Sequence, residues 1–96
     1  MIELGRSIVL EGFNDINGGE MVILKKLLGN YVKEITEKKG NIEKLSLNLN
    51  KTKLGEKNIF NLQAELLAGE KYNTEVRDGN LFFAIDKALK DIDTKL

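Results

Sequence analysis

Residues 20–39 read EMVILKKLLGNYVKEITEKK. Leu24, Leu27, Leu28, Tyr31 and Ile35 fall at i, i+3, i+4, i+7 and i+11, so all five share one stripe of an α-helix. A helix of this length spans about 30 Å at 1.5 Å per residue, enough to cover most of a small sheet. Gly18-Gly19 breaks the chain ahead of it and Gly40 stops it behind, while Glu20 suits the positive end of the helix dipole. Lys25, Lys26, Gly29 and Lys33 lie opposite the apolar stripe. One side of this helix therefore packs, and the other presents positive charge.

The stripe needs a sheet to bury it, and the flanking segments supply one. Ser7 to Phe13 opens with Ile8, Val9 and Leu10 and reads as a first strand, followed by a turn-forming loop over Asn14–Gly19. After the helix, Leu45, Leu47 and Leu49 alternate with Lys44, Ser46, Asn48 and Asn50, the pattern of a half-buried strand. Residues 51–58, with Gly55, read as a polar, lysine-bearing turn. Phe60, Leu62, Ala64 and Leu66 then mark the next strand, and Tyr72, Thr74 and Val76 mark the last, beyond a turn at Ala68-Gly69-Glu70. Short turns between the three later strands predict an antiparallel meander with one apolar and one polar face. Asp78 or Asn80 is a candidate N-cap for a second helix, whose stripe is Leu81, Ile85, Ala88, Leu89, Ile92 and Leu96. Phe83, Lys87, Lys90 and Thr94 fall on its far side.

The expected fold is thus α+β: a two-layer sandwich, β-α-β-β-β-α, with a four-stranded sheet and both helices on one face. Residues 1–96 are expected to form a single domain, and the predicted core holds Leu27, Leu28, Tyr31, Ile35, Leu47, Leu49, Phe60, Leu62, Ile85 and Leu89. With 42% hydrophobic and 31% charged residues, the composition is that of a globular chain rather than a disordered one. No apolar run is long enough to span a membrane, and Met1–Arg6 lacks the pattern of a signal peptide. The absence of cysteine makes a cytoplasmic location the default expectation.

The chain has no His and no Cys, which removes the commonest general base, the usual zinc ligands and the most easily activated nucleophile. Ser7 and Ser46 sit inside expected strands, and the carboxylates are scattered along outer faces. These features predict no catalysis, no cofactor and no bound metal.

Net charge is zero, but the distribution is uneven. Residues 25–57 hold nine lysines and four glutamates, and the rest of the chain carries the compensating negative excess. Such asymmetry can give one face a positive potential on a neutral molecule. No phosphate loop or KH-type GXXG loop is present, and the polar sheet face lacks the aromatic residues that stack single-stranded bases. Phe60 and Tyr72 fall in the apolar registers and are assigned to the core. What remains is Lys25, Lys26 and Lys33 on the first helix, with Lys51, Lys53 and Lys57 in the turn between strands. Lysines so placed can follow phosphates as point charges without reading bases, which is how structured RNA is often bound.

Two stretches carry a resemblance. Asp78-Gly79-Asn80-Leu81-Phe82-Phe83-Ala84-Ile85-Asp86-Lys87-Ala88-Leu89 enters the last helix through a polar cap, a bulky pair and Ile-Asp. Leu10-Glu11-Gly12-Phe13 ends a strand ahead of a helix containing Tyr31-Val32-Lys33-Glu34-Ile35. With the order of elements, these resemble the short ribosome hibernation promoting factors, also called ribosome-associated inhibitors or subunit-interface proteins. The resemblance implies docking on the small ribosomal subunit, in the channel used by mRNA and tRNA, and silencing of translation. It also implies that Lys87 and Lys90 on the last helix join the RNA contact. The chain departs from the family at Phe13, where the family has Arg, and at Asp91 and Thr94, where the family's helix is basic. The first helix and the 51–57 segment would then carry most of the binding. An alternative of another class is a protein-interaction domain, or a homodimer paired through its sheet edges, with no RNA partner.

Overall fold

The computed structural model describes residues 2–4, 7–40 and 42–96. Its elements are β1 (Ile2–Leu4), β2 (Ile8–Glu11), α1 (Gly18–Lys39), β3 (Lys44–Leu54), β4 (Lys57–Ala68), β5 (Glu70–Asp78) and α2 (Leu81–Lys95). The two helices and four strands of the expected sandwich are present. A short extra strand, β1, pairs antiparallel with β2 and adds an edge that the apolar pattern did not mark. The sheet order is β1-β2-β3-β4-β5, with β2 parallel to β3 and the later strands antiparallel.

Local chemistry sets the helix limits. Asn17, not the glycine pair, is the boundary of α1: its side-chain oxygen accepts from the Glu20 N–H at 2.8 Å, so Gly18 and Gly19 form the first turn. Gly40 ends the helix at φ +89°, its N–H donating to the Thr36 carbonyl at 2.9 Å. Asn80 caps α2 by accepting from the Phe83 N–H at 3.1 Å.

The core lies between the sheet and both helices. Ile8 and Leu10, Leu45, Leu47 and Leu49, and Leu62, Ala64 and Leu66 point to the same side, where they meet Leu24, Leu28, Tyr31 and Ile35 of α1 and Leu81, Ala84, Ile85, Ala88, Leu89 and Ile92 of α2. Phe13 is 1% exposed, so its place in the chain is explained by packing. Two expected core residues are only half-buried. Leu27 flanks the gap between the helices, and Phe60 lies where the sheet outruns them. Leu24 is fully buried on the same stripe.

The largest correction concerns residues 51–58. They are not a loop but the outer half of a β-hairpin. The β3–β4 ladder continues through Lys51↔Phe60, Thr52↔Ile59, Lys53↔Asn58 and Leu54↔Lys57. Only Gly55-Glu56 turns, with Gly55 at φ +67°, the positive φ that a type II′ turn requires at its first central position. Residues 51–57 are all exposed, so this arm projects past the core. Since α1 and α2 both start at the arm end of the sheet, they run in the same direction.

Candidate nucleic-acid interface

The lysines singled out by the sequence fall into three groups. On α1, Lys25, Lys26 and Lys33 are exposed. At 100° per residue, Lys26 and Lys33 lie within about 20° of each other on the ridge farthest from the core, and Lys25 lies about 100° to one side of Lys26. Gly29 stands between them with open space around it: a Cβ added there would meet nothing within 4 Å. The same ridge exposes Val22 and Ile23, at 55% and 56%. These two stand off the apolar stripe, which is the signal the sequence offers for their exposure.

The arm splits the second group. Lys51 and Lys53 continue the register of Leu45, Leu47 and Leu49 and therefore face the helix side. Lys57, opposite Leu54, faces the other side. Leu54 is 70% exposed at the tip. Lys25, Lys26, Lys33, Lys51, Lys53 and Lys57 form no ion pair with any described residue, whereas Lys38, near the end of α1, lies 3.5 Å from Asp93 Oδ1.

The third group differs. Lys87 Nζ bonds Asp78 Oδ2 at 2.6 Å and Lys90 Nζ lies 3.0 Å from Asp86 Oδ2. The hydrogen bond from Lys87, followed by one from the Asn80 N–H, holds the Asp78 carboxyl below the usual carboxylate range. Lys95 is likewise matched by Asp91 at 3.1 Å; a hydrogen bond from Thr74 and then one from Lys95 lower that carboxyl's pKa. Every lysine of α2 is thus locally neutralised. The four-residue spacing of Asp86 to Lys90 and Asp91 to Lys95 announces two of these pairs in the sequence; Lys87 meets Asp78 only because the chain turns at Gly79-Asn80 from the end of β5 into α2. Lysines without an ion pair to a described residue therefore gather on α1 and the arm, with Lys44 and Arg77 on the uncovered sheet face also unpaired, while α2 offers a balanced surface and an exposed Phe83.

The uncovered sheet face carries a row of directly paired side chains, Glu11, Asn48, Gln63 and Glu75, in which Gln63 Nε2 donates to Glu75 Oε2 at 3.0 Å. No group of three or more Asp and Glu side chains able to hold a metal converges among the described residues. No helix among the described residues is long and apolar enough to cross a membrane.

No protein-family model matches the chain, and no curated protein matches it. Among solved structures it is similar to the crystal structure of the Thermus thermophilus Protein Y N-terminal domain, with a TM-score of 0.54 and 18% identity over 92% of this chain and 90% of that one. At that identity what the two chains share is the fold.

Proposed function

We propose that this chain is a non-enzymatic, cytoplasmic, ribosome-associated protein that binds structured rRNA on the small subunit and silences translation. The observation that carries the reading is the sorting of charge: on a molecule of zero net charge, Lys25, Lys26, Lys33, Lys51, Lys53 and Lys57 stay free of ion pairs with described residues, whereas Lys87 and Lys90 are matched by aspartates. The sequence resemblance to hibernation promoting factors and the fold held in common with the Protein Y N-terminal domain support it. Lys87 and Lys90 take a secondary part, since an RNA phosphate must first displace Asp78 or Asp86. The edge strand β5 speaks against self-pairing there, because Lys95 Nζ already occupies the Asn73 carbonyl at 2.7 Å.

The test is a salt titration of binding to purified small ribosomal subunits. Phosphate neutralisation makes log affinity fall linearly with log salt. Replacing Lys25, Lys26 and Lys33 together by Ala should weaken binding and flatten that slope by somewhat less than one unit per lysine. Unchanged affinity and slope would remove α1 from the interface and the mechanism with it.

A further inference from the structure

At the foot of the arm is a cleft of about 310 Å³ assembled from three separated segments. Its apolar lining includes Leu49, Leu81, Phe60 and Phe82. Lys51 of the arm lines it together with Asp15 and Glu20, from the loop and first turn leading into α1. Phe60 and Phe82 are both half-buried, in contrast to Phe13, which the core encloses. Lys51 is the direct cross-strand partner of Phe60, and Lys53 follows on the same side of the arm two residues farther out. Aromatic surface, a lysine track leading outward and a pair of carboxylates therefore meet in one concavity.

We propose that this cleft holds a single unpaired base of an RNA strand, guanine in preference, with the adjoining phosphates on Lys51 and Lys53. The inference rests on the RNA reading above and narrows its substrate: a nucleotide splayed from a loop, bulge or end, not a base inside a duplex. Aromatic side chains bind such bases through their faces, whatever the sequence. The carboxylates supply the preference. A carboxylate only accepts hydrogen bonds, so it favours a base edge made of donors. Guanine presents two adjacent N–H donors on its Watson–Crick edge, whereas uracil presents one donor between two carbonyls that would face Asp15 and Glu20 unfavourably. The same carboxylates repel phosphate, which favours a backbone leaving along the lysines of the arm.

The experiment measures binding of short single-stranded RNAs to the full chain at low salt by fluorescence anisotropy. The oligonucleotides carry one guanine, one inosine or no purine in a uridine background, and free guanosine monophosphate is the competitor. The guanine strand should bind about tenfold tighter than the uridine strand, the low end of what a hydrogen bond to a charged group contributes, with inosine between. Lys51→Glu, at an exposed position, should weaken the guanine strand about tenfold or more. Phe82→Leu, checked for folding by its urea midpoint, should weaken all the strands alike, and Asp15→Asn together with Glu20→Gln should erase the difference between guanine and uridine. Equal binding of all three strands, insensitive to Phe82→Leu and Lys51→Glu, with subunit binding retained, overturns the cleft and leaves the RNA reading standing. Loss of both subunit and oligonucleotide binding in the wild-type chain overturns both. Guanosine monophosphate competing as well as the strand would make this a free-nucleotide site and overturn the assignment to RNA.

Discussion

At the residue scale, two positions separate packing from function. The Tyr31 hydroxyl is buried with no hydrogen-bond partner, and burial, with the nearby charges of Asp93 and Glu34, pushes its pKa up to about 12. An unsatisfied buried polar group costs stability, so Tyr31→Phe should be neutral or stabilising by about 1 kcal/mol in urea unfolding at neutral pH. The folded state holds the phenolic proton more tightly than the unfolded chain, whose tyrosine titrates near 10. Its contribution is therefore complete below pH ~10 and is lost as pH rises toward 12. Tyr31→Phe should remove that part of the alkaline loss of stability, and an unaltered pH profile would show that the ring is wetter than the fold implies. Gly29 offers a paired test. Its surroundings are open, so Gly29→Ala should stabilise α1 by about 0.5–1 kcal/mol. If RNA lies along the lysine ridge, the same change should leave subunit affinity the same or lower, never higher. Gly12 is the opposite case: at φ +79°, just past the end of β2, a Cβ would run into the Leu49 carbonyl oxygen of β3, so the close approach of the two backbones requires the glycine.

At the element scale, the arm is the part whose removal should cost least and reveal most. It adds exposed ladder beyond the last helix-covered residues, Leu49 and Leu62, and contributes no buried side chain between 51 and 58. Replacing residues 53–58 by Asn-Gly joins the paired Thr52 and Ile59 through a favourable two-residue hairpin turn. The shortened chain should keep its thermal midpoint within a few degrees and lose affinity for the small subunit together with part of the salt slope. A large fall in thermal stability would instead make the arm a structural brace. The helices differ in the same respect: α1 packs one stripe and leaves a ridge of free lysines, whereas α2 spends its lysines on aspartates. Reversal of the Asp78–Lys87 pair is readable by NMR, since Lys87→Ala should let the Asp78 pKa rise toward the ordinary carboxylate range.

At the scale of the whole molecule, the fold is an elongated body of 43 × 26 × 18 Å with its core at one end and its arm at the other. Leu62 is fully buried at the centre of the sheet, so Leu62→Ala should cost about 2–5 kcal/mol of unfolding free energy. Native-state hydrogen exchange should be slowest over Leu45–Leu49 and Leu62–Leu66, which the helices cover, and fast over residues 51–58, whose ladder has water on both sides. Uniform protection along β3 and β4 would mean that the arm is held by something other than its own hydrogen bonds.

The layers were legible in the sequence because they are set by local periodicity. Leu45, Leu47 and Leu49 repeat every second residue, and Leu24, Leu28, Tyr31 and Ile35 repeat with the helical turn; each period leaves one face that must be buried, and that alone calls for helices on one side of a sheet. The exposed state of Lys25, Lys26 and Lys33 followed from the same geometry. Residues 51–58 were not legible, since a lysine-rich segment around a glycine has the composition of a loop, and its strand conformation comes from hydrogen bonds to a partner ten or fewer residues away that carry no apolar mark. Phe60 fits the apolar register, yet its burial depends on where the helix cover ends, which no single strand encodes. The meeting of Glu20, Lys51, Phe60 and Phe82 in one cleft required segments distant in the chain to arrive at the same end of the sheet, and only tertiary packing decides which end that is.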